Sequence, residues 1–257
     1  MLVDGASGQL AERHDERTGT GPPEAGPATR THPGRELIVW WSAASVVLAG
    51  VMVGLGLLVT QVGGTRGLRH WDVSVNRWFV HQRTGSLTSV SDVGSHLAET
   101  PTVIGVGLLV VVLLWWRRRD LVAIGVLVFG LTLEVTVFVT TTALVDRARP
   151  PVQRLDAAPP TSSFPSGHTA AAVVLAGGLA WIVLRLWGRR PWMWALVTVL
   201  TLVPVAVALS RLYRGMHHPT DVIVGALLGG ACLTIAIVAV TRVASRSGYT
   251  ARPEVTA

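Results

Sequence analysis

The chain has 257 residues, 50% of them hydrophobic and 14% charged, with a mean hydropathy of +0.49. Soluble domains carry about 25% charged residues, so this deficit, with apolar stretches of roughly 20 residues, excludes one large soluble core and indicates a polytopic membrane protein. The formal net charge is +7 and all 22 basic residues are Arg. They fall at span ends and in motif-like loops, which indicates topology and membrane-surface contact rather than a nucleic-acid footprint.

Residues 1–35 are rich in Gly, Pro, Thr and mixed charge, without apolar periodicity. They are expected to form a disordered cytoplasmic tail, too long and polar for the n-region of a cleaved signal peptide. A six-helix membrane domain is expected over 36–245, followed by a short tail over 246–257. The fold class is all-α, a bundle of six transmembrane helices. The spans run Leu37 to Thr60, Pro101 to Trp116, Leu121 to Leu144, His168 to Trp187, Trp192 to Leu209 and Asp221 to Thr241. The second is short for a core of about 30 Å, and Trp115 and Trp116 are expected to finish its crossing as an interfacial belt.

Between the first two spans, the segment from Gln61 to Glu99 predicts two short helices at the membrane surface. Asp72 is expected to cap one bearing Val73, Trp78 and Phe79, with Gly85 stopping it. Leu87, Val90, Val93 and Leu97 mark the other. Such helices either cover a site at the interface or pack on the bundle. Gly50 with Gly54, and Gly225 with Gly229, have small-xxx-small spacing. The single cysteine, Cys232, reads as a packing residue. Glu134 lies mid-span, roughly 15 Å along the axis from the nearest polar motif at 1.5 Å per residue, and is expected to pair inside the bundle.

Arg35, Arg117 to Arg119, the group Arg185, Arg189 and Arg190, and the pair Arg242 and Arg246 share one side of a six-span protein. The positive-inside rule makes that side cytoplasmic, with both termini. Three polar clusters fall on the opposite side. They are Asp146-Arg147-Ala148-Arg149-Pro150, then Pro165-Ser166-Gly167-His168, and Ser210-Arg211 with His217 and Asp221.

Their chemistry suits phosphoryl transfer, in which charge spread over equatorial oxygens must be met by fixed cations and N–H donors. Arg149 and Arg211 supply planar, permanently charged forks. Ser166 is a good N-cap type, so a helix beginning there aims its first N–H groups at an anion, with Gly167 allowing close approach. A neutral imidazole can attack in line when its other nitrogen is held. His217 and Asp221 stand four apart where the last span begins, so the carboxylate is expected to reach back and fix the ring's tautomer. His168 is then the general acid for the departing oxygen. This division needs one neutral and one protonated His.

Arg149-Pro150, Pro165-Ser166-Gly167-His168, and Ser210-Arg211 with five residues to His217 and three more to Asp221 resemble the type 2 phosphatidic acid phosphatase superfamily. Its members include membrane lipid phosphatases, soluble acid phosphatases and vanadium haloperoxidases. The resemblance covers Thr142 to Asp221 in detail. It implies a metal-independent phosphatase without cofactor, with His217 as a nucleophile forming a phosphohistidine, Asp221 orienting it and His168 as acid. It also implies phosphate binding by Arg149, Ser166, Gly167 and Arg211. The family's first motif usually opens with Lys seven residues before its Arg, and here that position is Thr142. Its hydroxyl offers one hydrogen bond and no charge, and Arg147 is expected to compensate.

The expected function is hydrolysis of a lipid phosphate or pyrophosphate at the outer face of the cell membrane, with a polyprenyl pyrophosphate of envelope synthesis as a fitting substrate. Two other readings use the same residues. One is a non-catalytic protein binding anionic lipid through the Arg cluster. The other is a metal-dependent hydrolase using His168, His217, His218 and Asp221, which the neighbouring Arg charges disfavour.

Overall fold

The computed structural model describes residues 32–62, 66–157, 160–188 and 190–248. Among them the chain is all-α, with eight α-helices and no strand. In order these are α1 (Pro33–Leu57, continued by a π-turn at Leu58–Val62), α2 (Arg66–His81), α3 (Gly85–His96), α4 (Thr100–Arg117), α5 (Leu121–Leu144), α6 (Gly167–Trp187), α7 (Pro191–Tyr213) and α8 (Pro219–Arg246). Helices α1 and α4 to α8 are long and apolar enough to cross a bilayer, from 18 residues in α4 to 29 in α1 with its π-turn. The protein is a multi-pass membrane protein. The expected tails lie mostly outside the described residues, since α1 already begins at Pro33 and α8 runs to Arg246.

Helix α5 stands at the centre. Its Val126, Leu133 and Val137 are fully buried and join Leu48 and Met52 of α1, Val174 of α6, and Leu228, Cys232 and Ala236 of α8 in one core cluster. Cys232 thus packs in the core, as its sequence setting suggested. Large side chains such as Val47, Leu108 and Val199 face outward from the bundle, as lipid-facing residues do when tails are as apolar as the protein. Glu134 is buried on α5, and its Oε1 has no hydrogen-bond partner among the described residues. The pairing expected for it is not seen at that atom.

One end of the bundle is fastened by Asp120. One of its oxygens accepts the N–H groups of Val122 and Ala123 at 3.1 and 3.0 Å, capping α5, while the other accepts from Arg185 Nε at 3.1 Å. The Arg118 guanidinium lies 5.9 Å from the Trp187 ring, and Arg246 bonds Glu36, so these Arg residues share an end.

Helices α6 and α8 approach each other through glycine. A Cβ at Gly225 would lie 2.4 Å from the Ser166 carbonyl oxygen, and one at Gly229 would lie 2.5 Å from that of Ala170. This small-xxx-small pair therefore packs within the chain. Gly50 and Gly54 meet nothing within 4 Å.

The other end carries α2 and α3, and here the sequence reading needs correction. Asp72 does not cap α2; that helix starts at Arg66, and Asp72 sits inside it, buried against α8. Gly85 does not stop α2 but opens α3, whose N-cap is Thr84, with its side chain accepting the Leu87 N–H at 3.3 Å. Helix α3 buries its small polar face, Ser91, Gly94 and Ser95, and leaves Leu87, Val90, Val93 and Leu97 exposed. In lipid that arrangement is natural, because small residues allow close packing and apolar ones need no cover.

Candidate active site

The loop after α5 and the turn before α6 are stitched together by backbone demand. Ser163 N–H donates to the Arg147 carbonyl at 2.9 Å. Ser162 Oγ accepts from the N–H of Arg147 at 3.2 Å and of Phe164 at 3.1 Å. Phe164 is fully buried and joins the core cluster, which fixes the start of α6. At the end of α7, Gly215 adopts φ +71°, the left-handed turn that ends helices. It sends Met216 and His217 back over the bundle. Arg149 then donates to the Met216 carbonyl at 2.8 Å.

These turns bring Arg149, Gly167, His168, Arg211 and His217 to the wall of one cavity of about 260 Å³, with Pro165, Asp156, Glu99 and Phe138. The polar clusters of the sequence thus converge in space. The Nε atoms of Arg149 and Arg211 are buried and have no partner among the described residues. A buried, unsatisfied guanidinium N–H is costly, and an anion in the cavity would offset the two buried positive charges that line it. Ser166 is the N-cap residue of α6 and makes no side-chain cap bond. The first-turn N–H groups, beginning with Gly167, therefore keep no side-chain acceptor of their own.

The His217 imidazole is buried, and its Nδ1 lies 2.7 Å from the Ser163 carbonyl oxygen. A carbonyl only accepts, so Nδ1 carries the proton and Nε2 of the neutral ring keeps its lone pair. Burial, reinforced by the charges of Arg211 and Arg149 and opposed by that of Asp221, lowers the ring's pKa to about 3. The ring is therefore neutral at physiological pH. Burial likewise lowers the pKa of Arg149.

Four residues read as site groups take other places. Asp221 does not make the ring hydrogen bond; its Oδ2 stands 3.9 Å from His217 Nδ1. That oxygen accepts instead from the His218 N–H at 2.8 Å and from His218 Nδ1 at 3.2 Å, closing a capping box at the start of α8. Arg147 is not on the cavity wall. Its guanidinium bonds Asp221, Thr220 and Asp72, so it is spent between two carboxylates. Thr142 bonds back to the Val139 carbonyl at 3.1 Å, as helical Thr commonly does, and it too is off the wall. The Ser166 hydroxyl pairs with Thr169 Oγ1 at 3.0 Å, behind the wall formed by Pro165, Gly167 and His168.

Other residues here were not singled out from the sequence. Asp156 bonds Arg211 at 3.0 Å and Arg214 Nε at 2.7 Å. Burial alone would raise its carboxyl, but the Arg214 hydrogen bond and the charges of Arg211 and Arg214 hold it below the usual carboxylate range. Ser95 of α3 bonds Arg211, and Ser91 bonds Arg214 at 3.2 Å. Arg83 donates to the Tyr213 carbonyl at 2.9 Å and to that of Gln153 at 2.8 Å, holding the end of α7.

Next to the cavity, α2, α3 and α7 enclose a second space of about 590 Å³, lined by Trp78, Phe79, Val90, Leu97, Leu209 and Tyr213 among others. It is a largely apolar groove. Ser91 and Ser210 line it as well, and α7 contributes to both spaces, with Arg211 on the wall of the first.

Six spans and a guanidinium-lined cavity at one bundle end define a polytopic membrane protein built around a polar site. The family model of the PAP2 superfamily matches residues 123–244, the stretch carrying Arg149, His168, Arg211 and His217. The undecaprenyl-diphosphatase of Sulfolobus acidocaldarius is 38% identical over 79 residues, covering 31% of this chain and 34% of that protein. The bacitracin transport permease protein BcrC of Bacillus licheniformis is 34% identical over 68 residues, covering 26% and 29%. The matched stretch thus spans about a third of the length of these relatives. A PAP2-type phosphatidylglycerolphosphate phosphatase of Bacillus subtilis shares the fold with TM-score 0.61 at 19% identity, covering 81% of this chain and 98% of that one. LpxE of Aquifex aeolicus does so with TM-score 0.54 at 23% identity, covering 65% and 94%.

Proposed function

We propose that the protein is a membrane lipid phosphatase acting through a phosphohistidine. The observation that carries this reading is the neutral His217 ring, with Nε2 unprotonated, on the wall of a cavity that Arg149 and Arg211 also line. The phosphate sits between these guanidinium groups and the Gly167 N–H. His217 Nε2 attacks phosphorus, the P–N bond forms as the P–O bond to the lipid breaks, and His168 gives its proton to the departing oxygen. Water then attacks the phosphohistidine, His168 takes a proton from it, and phosphate leaves. Every charge-stabilising group in this scheme belongs to the chain, so the reaction needs no metal ion.

The substrate is a lipid phosphate or pyrophosphate. The apolar groove beside the cavity suits a hydrocarbon chain, and the likeness to the Sulfolobus undecaprenyl-diphosphatase favours a polyprenyl pyrophosphate. The site faces the outer leaflet, with both termini cytoplasmic, in keeping with the Arg-rich ends on the other side. Asp221 acts on the nucleophile through the α8 capping turn.

The test is phosphate release by the purified protein from farnesyl pyrophosphate, phosphatidic acid and phosphatidylglycerophosphate, with chelator and orthovanadate arms. Turnover that survives chelator, stops with vanadate and vanishes in His217→Gln is expected. Binding of these lipids without turnover would establish the anionic-lipid-binding alternative. Loss with chelator would establish the metal-dependent one.

A further inference from the structure

Helix α2 contributes two buried polar residues one turn apart, Asp72 and Asn76, and neither lines the cavity. We propose that they are positioning residues for the His217 nucleophile, holding its turn in place from the membrane-surface side. This rests on the reading of His217 as nucleophile.

Asp72 works at the start of α8. Its Oδ1 accepts the Thr220 N–H at 3.1 Å, and its Oδ2 accepts the Thr220 hydroxyl at 2.8 Å. Thr220 is the second residue of α8, so a carboxylate from another helix satisfies a first-turn donor at the positive end of the dipole. Asp72 Oδ2 also accepts from Arg147 at 2.7 Å, and the same guanidinium reaches Asp221. Asp221 in turn grips the His218 N–H. A continuous path of charge-assisted bonds therefore runs from α2 to the residue beside His217.

Asn76 works on His217 itself, its Nδ2 donating to the His217 carbonyl at 3.0 Å. With the ring held at Nδ1 by Ser163, backbone and side chain of the nucleophile are fixed from two directions. Asn76 Oδ1 has no partner among the described residues. A buried amide with half its capacity unmet costs stability, and an apolar residue of similar size would pack there without that cost. Two carboxylates sharing one buried guanidinium is likewise a poor arrangement for stability alone. Both features make sense where the gain is geometry, because misplacing a reacting group by about 1 Å costs on the order of 100-fold in rate.

The test compares the full-length protein with Asp72→Asn, Asn76→Leu and His217→Gln on whichever lipid phosphate of the panel is turned over fastest. kcat, KM, the vanadate inhibition constant and vanadate-dependent thermal stabilisation are measured for each. The expected result is a kcat reduced at least ~10-fold in Asp72→Asn and Asn76→Leu, with KM and vanadate affinity within about twofold of the parent. Asn76→Leu is expected to melt close to the parent, since the unpartnered Oδ1 goes together with the bond to the His217 carbonyl. An inactive His217→Gln beside unchanged kcat in both α2 variants overturns the positioning role and leaves the nucleophile standing. A rise in KM alone overturns it too, as does loss of vanadate stabilisation in both variants, which would make α2 a simple brace. An active His217→Gln removes the nucleophile reading and this proposal with it.

Discussion

Nδ1 of His217 lies 2.7 Å from the Ser163 carbonyl oxygen, while the Asp221 carboxylate four residues on stays 3.9 Å away. The backbone of the turn before α6 therefore selects the tautomer, and the acidic residue stabilises the turn. A carbonyl cannot lose that role through side-chain substitution.

Asp221→Asn is accordingly expected to act through the fold. It removes the charge that balances Arg147 and weakens the cap on His218. Breaking a buried pair by deleting one partner costs about 3–5 kcal/mol, so a clear drop in melting temperature is expected, with residual turnover. His217→Gln should lose turnover while melting near the parent. Thermal scans and kcat on the same preparations check both, and the reverse order would restore the direct orienting role.

Arg211 and Arg147 should separate as well. Arg211→Gln removes a cavity guanidinium, and a hydrogen bond to a charged group contributes about 1.5–3 kcal/mol. Vanadate should bind roughly 10- to 100-fold more weakly. Arg147→Gln should leave vanadate affinity near the parent's and lower thermal stability instead. Equal vanadate losses would put Arg147 back on the phosphate.

Asp156 neutralises Arg211 and Arg214 from the cavity side. In the proposed reaction an incoming phosphate competes with that carboxylate for Arg211. Asp156→Asn is expected to tighten vanadate several-fold while lowering the melting temperature, since Arg214 loses its partner. Weaker vanadate binding would mean that the carboxylate orients Arg211 for the anion.

His217 also predicts a pH dependence of stability. Its folded pKa, about 3, lies below the unfolded value near 6.5. Between these values the unfolded chain binds the extra proton, so stability falls as pH drops from about 6.5 towards 3 and is unaffected above that window. His217→Gln should flatten this part of the melting-temperature profile. A profile unchanged by the substitution would show the ring to be charged in the folded state.

Much of this was legible in the sequence, for physical reasons. Spans are long apolar runs, and hydropathy reports them within a few residues. Arg149, Gly167, His168, Arg211 and His217 stand at span ends whose alternation places them on one side, so their convergence followed from topology. What escaped the sequence is tertiary. Asp72 meets Thr220 across 148 residues, Asn76 meets His217 across 141, and Asp156 meets Arg211 across 55. Nothing local marks those pairings. Arg147 was misread because an Arg beside a motif looks like a ligand until its own carboxylates are seen.

The glycine seam between α6 and α8 has a further consequence. His168 rides on the first turn of one helix and His217 just precedes the other, so the gap between the two imidazoles is set by how far apart those helix axes lie. Gly229 belongs to that seam one turn further into the bundle than Gly225. An added methyl there would act as a wedge, felt first at the polar end, where the proposed reaction would lose the alignment of its proton transfer. The chemistry of this protein is thus gauged by a contact that no substrate touches.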